Sequence, residues 1–267
     1  MTRARCFGKL SMTFWLLLAL NSLSPPMLIK TRGIVLSYLK YRESSIITRV
    51  YTEQRGVQSY LVNGVRRARP PGRIALFQPL TLLELVAYVP RQGGSLTRLA
   101  EFRCAEPFRS LPYEMRKSSV ALFLSEVLSK SVREEEENPA LFRFLHDSIL
   151  AFDQQDVGIE NFALLFLLHL ASYLGFGAQT GAEITDQVAM AGAAPTGSGF
   201  SSGPATLRLR EFEHYFDELL RTSASNSIPN GQVRRELLAV LIRYYQLHIE
   251  GLGEIKSLEI LSDVLGG

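Results

Sequence analysis

The distribution of hydrophobic and polar residues divides the chain into a strand-like part and a helix-like part. Between residue 27 and about residue 105, short runs rich in β-branched and aromatic residues are separated by turns containing glycine, asparagine or proline. Runs of this length at this spacing predict an all-β sandwich or barrel. The predicted strands are 33–39, 46–52, 57–62, 80–89 and 96–104. Five strands in a segment of this length favour the five-stranded oligonucleotide-binding barrel, the OB-fold.

From about residue 111 onward, apolar residues recur at the three- and four-residue spacing of helices that bury one face. The predicted helices are 113–130, 140–152, 159–174, 207–220, 233–247 and 256–265. Residues 175–205 are rich in glycine, alanine, serine and threonine and predict a flexible loop. The predicted fold is therefore α+β with two domains, an OB-fold barrel at 27–105 and an all-α helical domain at 110–267.

Residues 1–26 have a different pattern from either domain. They contain three basic residues and no acidic one, followed by the apolar run 14–20 and by Pro25 and Pro26. The run is much shorter than the roughly 20 residues that span a bilayer. Two interpretations remain open: a secretory signal peptide, or an extension read from a mis-assigned start codon upstream of Met27. Under either interpretation this segment is no part of the fold.

The charge is distributed unevenly between the two predicted domains. The net charge of the chain is only +3, yet residues 27–120 hold 16 basic side chains against 6 acidic ones, and residues 121–267 hold 10 basic against 20 acidic. Such asymmetry indicates domains with different partners. The basic part is rich in arginine, whose planar guanidinium can bind phosphate through two hydrogen bonds. Nucleic acid is therefore the favoured ligand, and a general arginine bias of a solvated surface is the alternative.

The predicted nucleic-acid contacts lie on the first two strands and on the segment 65–73, which carries four arginines between proline and glycine residues. Such a loop favours contact with the phosphate backbone. The predicted DNA-binding residues are Lys30, Arg32, Lys40, Arg42, Arg49, Arg66, Arg67, Arg69 and Arg73. Candidate base-stacking residues are Tyr38, Tyr41, Tyr51, Tyr60 and Phe77, although the barrel core is the favoured location for each.

Motifs for catalysis and metal binding are weak. The chain has no P-loop, dinucleotide fingerprint or H-E-x-x-H sequence, its four histidines lie on separate predicted helices, and its cysteines are only Cys6 and Cys104. Residues 199–203 match the G-x-S-x-G string around Ser201, but a nucleophile elbow needs a strand before it and a helix after it. No catalytic residue, metal site or cofactor is predicted.

Several stretches resemble one known family. They are MLIKTRGIVL at 27–36, YRESS at 41–45, GVQSYLVNGVR at 56–66, ALFQPL at 75–80, YYQLH at 244–248 and KSLEIL at 256–261. Together they resemble the DNA repair protein RecO (recombination protein O) family from Met27 to the C-terminus. The resemblance is strong in the barrel and the last helices and weak across 175–205.

The resemblance implies an OB-fold followed by a helical domain. It implies a cytoplasmic recombination mediator that binds single- and double-stranded DNA, anneals complementary strands, and assists loading of RecA with RecR and RecF. It implies no covalent catalysis. Many members carry a four-cysteine zinc site in the helical domain, and this chain has no cysteine after Cys104. Two alternatives remain. One is an OB-fold module that binds RNA or acts as a protein adaptor and has no annealing activity. The other is a secreted protein, if residues 1–26 are a true signal peptide.

The resemblance also implies that the acidic C-terminal tail of single-stranded DNA-binding protein docks on the helical domain. An acidic, apolar peptide needs an apolar groove with a basic rim. The predicted partner-binding residues are Arg116, Lys117, Phe123, Arg143 and Phe144.

Overall fold

The N-terminal part of the chain forms a closed five-stranded barrel. The computed structural model describes residues 27–66, 72–88, 96–191, 205–222 and 228–265, with the side chains of 205–208 left out. The strands are β1 (Leu28–Tyr41), β2 (Ser45–Thr52), β3 (Gly56–Val62), β4 (Leu82–Tyr88) and β5 (Leu96–Cys104). All five predicted strands are present, and β1 extends beyond its predicted length at both ends.

The strands are ordered β1-β2-β3-β5-β4 around the barrel. All neighbours are antiparallel except β3 and β5, which pair in parallel over three residues. A short 3₁₀ helix, Arg73–Phe77, connects β3 to β4 and buries Phe77 completely in the barrel core. This closed barrel followed by helices confirms the predicted α+β fold class with an OB-like first domain.

Strand β1 contributes to two separate cores. Val35 points into the barrel, whereas Ile34 and Leu36 pack into the core of the helical domain. The run 33–36 is therefore buried on both faces, as a strand sandwiched between two layers requires. Leu36 is the extra residue of a β-bulge, because Val35 pairs with Val50 and the next paired residue on β1 is Ser37.

The C-terminal part of the described chain is helical. Its helices are α1 (Met115–Ser131), α2 (Pro139–Gln154), α3 (Phe162–Tyr173), α4 (Gly181–Met190), α5 (Ala205–Arg221), α6 (Gly231–His248) and α7 (Ser257–Leu265). A 3₁₀ turn, Ile159–Asn161, precedes α3. None of these helices, over the residues described, is long and apolar enough to cross a membrane.

Helix α4 corrects the prediction of a flexible loop over 175–205. Its ten residues bury Ile184 and Val188, and the side chain of Thr180 caps its first turn by accepting a hydrogen bond from the Glu183 backbone N–H. Asp217 on α5 also accepts a hydrogen bond from the Gly181 N–H, at 2.6 Å. Packing and capping therefore order this part of the segment, whereas residues 192–204 lie outside the described chain.

Helix α7 is held against α1 by one carboxylate. Glu126 accepts hydrogen bonds from the backbone N–H groups of Lys256 and Ser257, from the Ser257 hydroxyl and from Lys130. Burial alone would raise the pKa of Glu126, but the hydrogen bonds from Lys130, Ser257 and Lys256 outweigh it and lower this pKa to about 2. The carboxylate thus accepts hydrogen bonds from N–H groups at the start of α7 that have no partner within the helix. Its negative charge is also stabilised by the positive end of the α7 dipole.

Replacement of Glu126 with glutamine is expected to reduce the free energy of unfolding by about 2 kcal/mol at neutral pH, because charged hydrogen bonds at a helix end are lost. The wild-type contribution should be complete above the ordinary carboxyl pKa of 4.5 and should disappear as the pH falls towards 2, since the unfolded chain binds the proton first. Chemical denaturation at several pH values measures both effects.

The matched control is Glu101→Gln on β5, because Glu101 is exposed and has no ion pair among the residues described. Equal stability loss in the two variants, or an E126Q loss that persists unchanged below pH 2, would contradict the capping role.

Candidate nucleic-acid interface

The turn between β1 and β2 presents basic side chains that have no acidic partner among the described residues. Lys40 at the end of β1, Arg42 in the turn and Arg66 after β3 are all exposed. Arg66 donates a hydrogen bond to the Arg42 carbonyl at 3.0 Å, and its own N–H donates to the Ser44 carbonyl at 3.1 Å. Within the described chain, no carboxylate lies within ion-pair distance of these three side chains. The structure therefore brings three of the predicted contacts to one end of the barrel.

Two further arginines on the barrel are also free of carboxylates in the described part of the chain. Arg73 starts the 3₁₀ helix and places its guanidinium 4.6 Å from the centre of the Phe102 ring. Arg98 is exposed on β5 opposite Leu61 of β3. Arg98 was missing from the predicted contacts, although its position two residues into a predicted strand, between buried neighbours, was a signal for an outward side chain.

Lys30 and Arg32 are exposed but neutralised. Arg32 donates two hydrogen bonds to the Glu53 carboxylate, at 2.9 and 2.7 Å, and lies 5.3 Å from the centre of the Phe142 ring. The hydrogen bond from Arg32 lowers the pKa of Glu53 despite partial burial. Lys30 lies 3.7 Å from the Glu84 carboxylate, which also binds Arg103. These cations would have to leave a carboxylate before they bound phosphate.

Arg49 faces the helical domain. Its guanidinium donates to the carbonyl oxygens of Ser129, at 2.9 Å, and of Val132, at 3.3 Å, at the C-terminal end of α1. Partial burial, and then the nearby Arg133, lower the pKa of this guanidinium. A cation at the carbonyl end of a helix is a stabilising arrangement. Its geometry favours a structural role, and a DNA contact by Arg49 stays a prediction.

The aromatic residues of the barrel are mainly core residues. Tyr51, Tyr60 and Phe77 are at most 2% exposed. Burial also raises the pKa of Tyr51 and of Tyr60 to about 12. Tyr38 is half-buried against the barrel core, and Tyr41 is half-buried with Arg42 5.2 Å from its ring centre. None of these five aromatic rings is therefore a fully exposed platform for base stacking on the barrel.

The predicted partner groove on the helical domain is wrong for two of its residues. Phe123 is fully buried in the helical core, and Lys117 is only 1% exposed. The Lys117 ammonium donates to the Ser110 hydroxyl at 2.6 Å and to the Asp153 carbonyl at 3.1 Å. Buried ammonium groups require such partners, and neither residue can form the wall of a surface groove.

The Asp153 side chain completes this buried network. Its carboxylate accepts hydrogen bonds from the backbone N–H groups of Arg109, Ser110 and Leu111, at 2.8, 3.0 and 2.7 Å. Burial would raise the pKa of Asp153, but these hydrogen bonds prevail and lower it. The network fixes the connection between the barrel and α1, which is a structural function that sequence spacing did not reveal.

Three predicted groove residues remain at the surface. Arg116 is exposed 3.7 Å from Glu160, Arg143 is exposed on α2, and Phe144 is half-buried. The Phe144 ring stacks on Tyr173 with 4.6 Å between centroids, and Tyr173 is 43% exposed. Aromatic surface next to Arg143 is thus available between α2 and α3.

Other predicted features fall outside the described residues: Arg67 and Arg69, the string around Ser201, and residues 1–26. Among the residues that are described, no group of three or more histidine, cysteine, aspartate or glutamate side chains could hold a metal ion.

The barrel and the helical domain together match sequence models of known families. Residues 27–108 match the N-terminal domain of recombination protein O, and residues 112–259 match its C-terminal domain. A DNA repair protein RecO from Flavobacterium psychrophilum is 38% identical over 243 residues, covering 89% of this chain and 99% of that protein. Similarly named proteins of Flavobacterium johnsoniae and Bacteroides fragilis are each 36% identical, again over 89% of this chain and 99% of their own length.

The fold and these matches define a class of DNA repair proteins in which an OB-like barrel precedes a helical domain. The chain belongs to the RecO family of DNA repair proteins.

The geometry of Arg49 generates a prediction about stability. Arg49→Ala should reduce the free energy of unfolding by about 2 kcal/mol, because two charge-assisted hydrogen bonds to the end of α1 are lost. Arg66→Ala should change it by less than about 0.5 kcal/mol, because Arg66 is exposed. Denaturant unfolding of both variants distinguishes the structural arginine from the free one. A loss confined to R66A would contradict this assignment.

Proposed function

We propose that this RecO family protein binds single- and double-stranded DNA through the free basic end of its barrel and anneals complementary strands. We define this free basic end as Lys40, Arg42, Arg66 and Arg73. It acts as a recombination mediator with RecR and RecF to load RecA, in the cytoplasm, and performs no covalent chemistry. The family membership and the charge distribution support this proposal.

The observation that carries the proposal is the contrast among the barrel's basic residues. Lys30, Arg32 and Arg103 are bound to carboxylates, whereas the free basic end has no acidic partner in the described chain. Unpaired exposed cations exchange their counterions for phosphates without first breaking an ion pair, and the release of counterions drives binding.

Annealing follows from charge neutralisation. Two complementary strands repel each other through their phosphates, and bound cations reduce that repulsion while base pairing supplies the sequence specificity. Arginine and lysine contacts to the backbone carry no sequence information, which suits a protein that must act on any sequence.

Replacement of all four residues of the free basic end with alanine should weaken binding to single strands and duplexes of any sequence. The slope of log affinity against log salt should become shallower by about 0.7 for each single-strand phosphate contact removed. Annealing of labelled complementary oligonucleotides, bare and coated with the cognate single-stranded DNA-binding protein, should slow in parallel. Anisotropy and annealing assays over a salt series measure these effects.

The charge-matched control replaces Arg109, Arg210, Arg221 and Lys256, which are exposed on the linker and helical domain. It removes the same net charge from elsewhere and should leave the salt slope nearly unchanged. If the control and the test variant lose affinity equally, only net charge matters and the barrel site is wrong. If RNA competes as well as DNA and annealing is not accelerated, the alternative RNA-binding or adaptor function is favoured.

The remaining groove residues Arg116, Arg143 and Phe144 are proposed to bind the acidic tail of single-stranded DNA-binding protein. Arg143→Ala combined with Phe144→Ala should lower the affinity for a labelled tail peptide by about tenfold, because an aromatic contact and a charge are both removed. Lys117 is buried and is therefore not a target of this test. Unchanged tail affinity in the folded double variant would exclude this groove.

A further inference from the structure

A row of aliphatic side chains crosses the outer face of the barrel. Leu39 pairs with Ile47, Ile47 with Leu61, and Leu61 with Arg98, so these four residues lie side by side on β1, β2, β3 and β5. Leu96 lies two residues before Arg98 and pairs with Ser59. We call Leu39, Ile47, Leu61 and Leu96 the outer apolar row. At about 4.8 Å between strands, it extends on the order of 14 Å across the sheet.

These side chains point away from the barrel core. Their sequence neighbours Ile46, Val62 and Thr97 are buried, whereas Leu39 is 70% exposed and Leu96 is 45% exposed. Alternate residues of a strand face opposite sides, so the outer apolar row lies on the outer surface of the barrel, where Ile47 and Leu61 are half-buried. Contiguous exposed apolar surface rimmed by polar residues is a feature of interaction sites.

The charge around this row fits an anionic ligand. Arg98 continues the row on β5, and Lys40 lies at the same end of β1 as Leu39 but on the opposite face, paired with Ile46. Neither side chain has a carboxylate partner in the described residues. Arg98 therefore supplies a cation in line with the outer apolar row, and the row reaches the end of the barrel where Lys40 lies and where phosphates are proposed to bind.

We propose that the outer apolar row contacts the unstacked bases of single-stranded DNA and gives the single strand a preference over the duplex. This inference rests on the proposed function. Phosphates are present in both forms of DNA, but base faces are accessible only in a single strand, because a duplex stacks them on one another. Apolar contact next to phosphate contacts therefore discriminates between the two forms.

This contact also affects release of the annealed product. When two bound strands pair, their bases leave the outer apolar row and only the phosphate contacts remain. The duplex product is bound less tightly than the separate strands. At equilibrium this difference opposes pairing, so base pairing itself supplies the driving force. The same difference favours release of the product after pairing.

The test uses the full chain and the double variant Leu39→Ser/Leu96→Ser. Its affinity for oligothymidylate should fall about fivefold, the effect of losing a weak base contact, while affinity for a duplex of the same length stays within about twofold. The matched control is Leu122→Ser/Leu247→Ser, which alters two exposed leucines of the helical domain and should change neither affinity. Thermal melting confirms that both variants are folded.

Other outcomes overturn the inference. Unchanged affinity for both DNA forms, or an equal loss for both, would show that the outer apolar row does not read unpaired bases. Normal binding to bare DNA combined with lost binding to strands coated by the cognate single-stranded DNA-binding protein would identify a protein-docking surface instead. Failure of the proposed function is distinguishable, because then the alanine variant of the free basic end would retain its DNA affinity.

Discussion

The position of β1 between two cores is the constraint on which the rest of the structure depends. Strand alternation directs Ile34 and Leu36, on either side of Val35, into the helical core while Val35 remains in the barrel. The Leu36 carbonyl then accepts a hydrogen bond from the Ser125 hydroxyl of α1. Burial of apolar surface on both faces stabilises the strand more than either core alone could, at roughly 25 cal/mol per Å² removed from water. The two domains therefore pack as one unit along this strand.

This packing decides which barrel surface remains for a ligand. The face that carries Ile34, Leu36, Tyr51 and Val57 is covered by helices and cannot bind DNA. Backbone contacts extend the covered region, because the Val57 N–H donates to the Glu134 carbonyl at 2.9 Å. Gly56 has φ +56 and lies so close to the Glu134 and Glu136 backbone that a side chain would collide there. The outward residues at the opposite end of β2 and β3 stay accessible, and the free basic end lies there.

Local patterns predicted the elements well, but not the contacts between them. The runs of β-branched residues located all five strands, whereas β1 was predicted too short because residues 28–32 carry no run of apolar residues and pair only with β4. Helix α4 was missed because its glycine and alanine content masked a capping signal, Thr180 followed by Glu183. Arg49 and Lys117 were assigned to surfaces because their partners are distant in sequence, Ser129 for Arg49 and Asp153 for Lys117. No periodicity reports such contacts.

The charges of the two domains coexist because distance separates them. The acidic run 134–137 lies beside the hairpin between β2 and β3, and the free basic end begins at the opposite end of β2. Eight residues of β2 separate these regions by roughly 25 Å at about 3.3 Å per residue. Charges are screened over about 8 Å at physiological ionic strength. The glutamates therefore do not neutralise the basic end, and they repel a polyanion from the hairpin. Electrostatics and packing thus leave the same end of the barrel open to a polyanion.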